Sequence, residues 1–172
     1  GVADEMVAFL KEIPGVESVA AVASFGVGPA STFRPVSFSL RSASAAMGGS
    51  QPLVIADPVS AGFFETMNIH LVDGRVFTAS DDYAANPGVI VEQGFAERYF
   101  PGRSAVGEEF AFGIAPFPDD FKWTRIVGVV ARANLTGLEN RDGVPFVFVA
   151  MAQQPSAGFN VLATIFLPSV KV

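Results

Sequence analysis

The sequence predicts an α+β domain. Segments rich in Val, Ile and Phe recur along the chain as strands, three short stretches carry helical spacing instead, and glycine and proline turns separate them without regular alternation of strand and helix. With 172 residues the chain suits one domain and can bury a real core.

The first element is a helix, because Val2, Met6, Phe9, Leu10 and Ile13 recur at helical spacing while Asp4, Glu5, Lys11 and Glu12 occupy most of the opposite face. Pro14 and Gly15 end it. Residues 17–24 are rich in Val and Ala and read as a buried strand. After a loop over 26–34, Val36, Phe38 and Leu40 alternate with Ser37, Ser39 and Arg41, which predicts a half-buried strand. Residues 42–51 form a small, polar loop tip, and 52–56 return as the second strand of a hairpin.

Ser60 stands where it could cap a short helix over 61–67 whose Phe63, Phe64 and Met67 pack inward. Residues 69–72 run extended into a turn at Asp73 and Gly74, and 75–77 leave it. A strand over 88–92 is followed by a second short helix with Phe95, Tyr99 and Phe100 on one side, stopped by Pro101 and Gly102. Residues 109–123 suit two strand ends joined by an irregular loop. Residues 126–130, 144–151 and 159–167 read as strands, with a turn at Asp142 and Gly143 before the second. The chain shows no internal repeat.

Composition narrows the function. Net charge is -6 and the arginines are scattered, which argues against nucleic acid and against an anionic membrane surface. Half the residues are hydrophobic and only 16% are charged, so either the core is large or apolar surface is covered by a partner or by further parts of the protein. The longest apolar stretches fall short of the ~20 residues that cross a bilayer as a helix. No signal-peptide pattern opens the sequence, and the chain reads as a piece of a longer protein. Zero cysteines exclude disulfides and thiolate chemistry.

Three ordered segments carry a shared signature: DPVSAGFFETMNIHLVDGRVFTAS over 57–80, VIVEQGFAERYFPG over 89–102, and RIVGVV over 125–130. The set resembles the periplasmic core domain of MacB and FtsX-like ABC transporter permeases. Its matching positions include Phe63, Phe64, Gly74, Arg75, Phe77, Pro101, Gly102, Gly107 and Gly128, which the resemblance implies are structural signature residues. Ala61 replaces a usual proline, Asn68 a usual glycine, and Glu108 stands where lysine is common.

The resemblance implies a two-lobed extracytoplasmic domain. A porter-like lobe would come from the chain ends, 1–28 plus 131–172, and an inserted mixed α/β lobe from 29–130. It also implies a non-catalytic part of a bacterial envelope permease, without a cofactor. Such a domain answers ATP hydrolysis on a cytoplasmic ATPase and serves efflux, lipoprotein extraction or signalling. Its partners would be the permease's transmembrane helices and that ATPase, with a second permease copy or a periplasmic protein as further candidates and no nucleic acid.

Two other classes compete. One is a free periplasmic module holding a lipid or peptide in an apolar cleft. The other is a hydrolase using Ser60, His70 and a carboxylate such as Asp73, although nothing around Ser60 resembles a nucleophile elbow. His70 is the single histidine, so it reads as a structural or surface residue. The carboxylate pairs Asp81–Asp82, Glu108–Glu109 and Asp119–Asp120 read as solvated turns or helix starts rather than calcium ligands. Arg75 is expected to pin its loop by a charge-assisted hydrogen bond to Asp81 or Asp82. In the aromatic stretch 110–123, Phe112, Phe117, Phe121 and Trp123 are either core or a partner-binding surface.

Overall fold

The computed structural model describes residues 2–22, 35–43, 52–78, 80–81, 87–132, 143–153 and 164–165. Two helical patterns and most strands lie where the sequence puts them: α1 Val2–Lys11, β1 Val19–Ala20, β2 Pro35–Leu40, β3 Leu53–Val59, α2 Phe63–Thr66, β4 Leu71–Gly74, β5 Gly88–Glu92, α3 Gln93–Tyr99, β6 Glu109–Phe112, β7 Thr124–Val130, β8 Phe146–Ala150 and β9 Thr164–Ile165. Short 3-10 turns follow β2 and β8. The expected loop over 26–34, most of the tip over 42–51, Asp142 and most of the expected strand over 159–167 lie outside the described residues.

Seven strands form one sheet in the order β4-β7-β5-β8-β3-β2-β6, and β6 pairs with β7 as well. That second pairing, Glu109 with Arg125 and Phe110 with Thr124, closes β7, β5, β8, β3, β2 and β6 into a ring. Closure satisfies strand edges that would otherwise be left unpaired. β2 and β3 form the expected antiparallel hairpin. β8 lies between β3, to which it is parallel, and β5, to which it is antiparallel.

Because β5 and β8 are central, every residue in both is buried. Their near-continuous apolar sequences follow from having both faces covered. One face carries Ile55, Val59, Phe63, Phe64, Phe77, Ile90 and Phe148. The other carries Phe38, Leu40, Val89, Val91, Phe95, Phe100 and Phe110. Each short helix seats its aromatics on one of these faces, α2 on the first and α3 on the second.

α1, β1 and β9 make a small layer, with Ala20 and Val22 packing into the first face cluster. β1 pairs with β9, Val19 with Ile165 and Ala20 with Thr164, and Val7, Val19, Ala21 and Met151 pack together. β8 sits inside the large sheet, whereas β1 and β9 join each other.

Two local expectations change. α1 seats Val7 and Leu10, leaving Met6, Phe9 and Ile13 on the exposed side, with Phe9 68% exposed. The helix rests on β1 by a narrow stripe rather than by its whole apolar face. The helix after Ser60 begins later than expected, with Gly62 at its N-cap in the left-handed region and no side-chain cap. The extended run into Gly74 is β4, which pairs with β7, and Gly74 has φ +73°.

Candidate functional site

The signature residues gather in three places. Phe63, Phe64 and Phe77 join Phe148 on one face of the sheet. Phe64 meets Phe148 edge-on with ring centroids 5.0 Å apart, and Phe63 and Phe77 flank it at 5.5 and 6.2 Å from its centroid. Edge-to-face packing of this kind suits the ring quadrupoles.

Gly74, Arg75 and Gly128 form the second place, where β4 crosses β7. Gly74 lies opposite Gly128, and the Arg75 N–H donates to the Val127 carbonyl at 3.0 Å. A Cβ on Gly128 would lie 2.1 Å from the Arg75 oxygen, and one on Gly74 would lie 2.4 Å from the Val127 oxygen. Only glycine allows the backbones to approach this closely.

From that crossing the Arg75 side chain reaches Asp81. Its Nη1 and Nη2 donate to the two carboxylate oxygens at 2.8 and 2.7 Å. The Thr78 N–H and hydroxyl add donations at 2.7 and 3.0 Å. Asp81 is 1% exposed whereas the Arg75 side chain is 47% exposed. The Arg75 guanidinium therefore holds the Asp81 carboxyl below its ordinary range, with help from Thr78 and against the opposing effect of burial. This fork-to-carboxylate pair ties Arg75 and Thr78 to Asp81.

Pro101, Gly102 and Gly107 form the third place, the loop after α3. Pro101 and Gly102 are exposed where the helix stops, and the Gly107 N–H donates to Ile126 O at 2.8 Å, tying the loop to β7. Arg103 pairs with Glu108 and lies over the Phe100 ring, and Ser42 donates to the same carboxylate at 2.6 Å. Asn68, at the position where the resemblance has glycine, has φ +53°. Asparagine is among the few residues that tolerate this region.

The residues considered for hydrolysis do not assemble. Ser60 is buried, with its hydroxyl accepting the Ala21 N–H at 2.8 Å. Asp73 accepts from its neighbour Gly74 at 2.8 Å and from Ser104 at 2.5 Å, and His70 is exposed. Glu108 and Glu109 point to different arginines, Arg103 and Arg41, and Asp119 and Asp120 are exposed.

Phe117, Phe121 and Trp123 pack on one another in the β6–β7 connection, with centroids 4.3 to 5.7 Å apart. All three are half-buried, and Phe112, whose ring meets Phe110 edge-on, is 37% exposed. Arg41 lies 6.0 Å above the Trp123 ring. These aromatics belong to neither face cluster. A shallow cleft of 440 Å³ lies elsewhere, between α3 and β4, with Val72, Asp73, Glu97, Phe100, Ala105 and Val129 among its lining residues.

Sequence reasoning missed the buried carboxylate of Glu92, whose Oε2 accepts the Phe146 N–H at 3.0 Å. At the end of an apolar strand a glutamate reads as the first solvated residue. Its real role depends on β8 lying beside β5, a neighbour relation with no local signal.

The signature residues thus serve a ring-closed mixed sheet with aromatic-bearing helices on its faces and a close glycine contact beside an Arg–Asp pair. The chain belongs to the MacB-like periplasmic core domain family, whose model matches residues 1–166, and it is an extracytoplasmic domain of an ABC transporter permease. Its fold is similar to the periplasmic region of MacB from Actinobacillus actinomycetemcomitans, at 14% identity and a TM-score of 0.63, covering 98% of this chain and 66% of that one. It is also similar to the extracellular domain of the ABC-type transporter YknZ from Gram-positive bacteria, at 18% identity and a TM-score of 0.61, covering 97% of this chain and 73% of that one. No curated protein matches the sequence. Among the described residues no helix is long and apolar enough to cross a membrane.

Proposed function

We propose that this domain is non-catalytic, that it transmits ATP-driven conformational change within its permease, and that it contacts substrate or partner proteins. The observation carrying this reading is the family match over residues 1–166 on a fold that gathers α1, β1 and β9 into one layer against a closed sheet. Such a layer, built from chain ends, is suited to pass displacement into a sheet that resists deformation. In this reading the porter-like lobe comes from 1–28 plus 131–172 and the inserted lobe from 29–130. The working partners are the transmembrane helices, the cytoplasmic ATPase, and a second permease copy or a periplasmic protein, for efflux, lipoprotein extraction or signalling.

The contact surface in this reading is the aromatic connection bearing Phe112, Phe117, Phe121 and Trp123. Large rings held at the surface outside both core clusters are the residues that supply binding energy at interfaces. The test is hydrogen exchange across the domain in the intact permease with its ATPase, compared with and without ATP. The expected result is altered exchange in α1 and in the sheet on ATP binding. Identical exchange in both states sinks the transmission reading, and unchanged exchange at 112–123 on adding the partner sinks the contact surface.

A further inference from the structure

Ser60 lies where three segments meet. It follows β3 and precedes α2, and its carbonyl accepts the Phe63 N–H at 3.2 Å at the start of that helix. Its N–H donates to the Ala21 carbonyl at 2.8 Å, and its Oγ accepts the Ala21 N–H at 2.8 Å. Beside this reciprocal pair, Val22 and Val59 form an isolated antiparallel bridge. Ser60 and Ala21 are both buried.

β1 takes its strand partner from β9 and not from the large sheet. Among the described residues, the backbone hydrogen bonding between the chain-end layer and the large sheet therefore concentrates at Ala21 and Val22 against Val59 and Ser60. The hydroxyl does what a backbone carbonyl does in a second ladder rung. Alanine offers no acceptor there, and the buried Ala21 N–H would lose its partner. A serine before a short helix reads as a cap, but here the hydroxyl accepts from Ala21 and makes no cap bond.

We infer that Ser60 is a positioning residue that couples the chain-end layer to the large sheet, so that displacement of α1 and β1 reaches β3 and α2 through it. This rests on reading the domain as a transmitter of conformational change, and it names the point in the fold where transmission occurs.

Hydrogen exchange on this chain tests the coupling. In Ser60→Ala the amides of Ala21, Val22 and residue 60 are expected to exchange about tenfold faster, while Ile90 and Phe148 in the central strands keep their protection. Ser60→Thr, which retains the hydroxyl, is expected to match the wild type. Unchanged exchange at Ala21 in Ser60→Ala overturns the inference. So does an equal acceleration at every amide, which would mark Ser60 as an ordinary contributor to global stability.

A second arm separates failure of the inference from failure of the transmission reading. In the intact permease with its ATPase, wild type is expected to show ATP-dependent exchange both in α1 and in β3 and α2. Ser60→Ala is expected to keep the response in α1 and lose at least half of it in β3 and α2. If wild type shows no response in α1, the transmission reading falls and takes Ser60's signalling role with it. If Ser60→Ala responds in β3 and α2 as wild type does, transmission stands and coupling through Ser60 is overturned.

Discussion

Two groups of aromatic residues in this domain look alike in sequence and differ in placement. Phe63, Phe64, Phe77 and Phe148 lie between α2 and the large sheet, all nearly inaccessible to solvent. Phe117, Phe121 and Trp123 pack on one another in a surface connection and share their exposure with Phe112. The first group is scaffold, tied to strands from distant parts of the chain. The second is a local stack whose rings touch mainly their own neighbours. Aromatic content alone therefore says little about role, and what decides is whether the flanking backbone is paired into a layer with another element on it.

The largest expected effect lies in the scaffold group. Phe148 is fully buried on a central strand between Phe63, Phe64 and Phe146, so Phe148→Ala should destabilise the domain by about 3–5 kcal/mol in urea unfolding. A loss under ~1 kcal/mol would mean that α2 does not depend on this cluster. Next comes Gly128→Ala, where the new methyl would meet the Arg75 oxygen at the strand crossing. Separating β4 from β7 should cost about 2–3 kcal/mol by overpacking. Exchange protection at the Arg75 amide should fall with it.

Arg75→Ala should cost about 1–2 kcal/mol at neutral pH, limited by the half-exposed arginine but sustained by the buried carboxylate it leaves behind. The pH dependence gives a sharper test. The folded Asp81 carboxyl titrates below its ordinary value of 3.8, chiefly because of Arg75. Its contribution is therefore fully present above that value and is lost as pH falls through the folded pKa. Wild type and Arg75→Ala should differ most near neutrality and converge in acid. A gap that stays constant as the pH is lowered below 3.8 would show that the pair does not account for the difference.

Much of the scaffold was legible because its signals are local. Helical spacing marked α1 and α3, Val-rich runs marked β5, β7 and β8, and the Gly-Arg step named the residue that reaches Asp81. What stayed hidden was non-local. Nothing near Leu71 says that it pairs with Val130, and nothing near Phe110 says that β6 closes a ring against β7. The same limit explains Ser60, since a serine before a short helix reads as a cap until the partner from residue 21 is known. For α1 the periodicity was correct, but the amount of apolar face that β1 covers is a tertiary fact.

The smallest stability effect should come from the surface stack, and there the two aromatic groups separate most clearly. Phe121 stacks on Phe117 with centroids 4.3 Å apart and meets Trp123 at 5.7 Å, while its outer side remains open to solvent. Truncating it removes two local ring contacts without opening either core cluster, so Phe121→Ala should cost about 1 kcal/mol. If the connection is a contact surface, the same substitution should weaken partner binding by tenfold or more, because rings at the centre of an interface contribute far more to association than to the fold that presents them. Melting and binding measured on the same variant then place it in one group or the other. A large drop in melting temperature with binding unchanged would return Phe121 to the scaffold. The reverse pattern would establish that this domain spends similar aromatics on two different tasks, according to which backbone carries them.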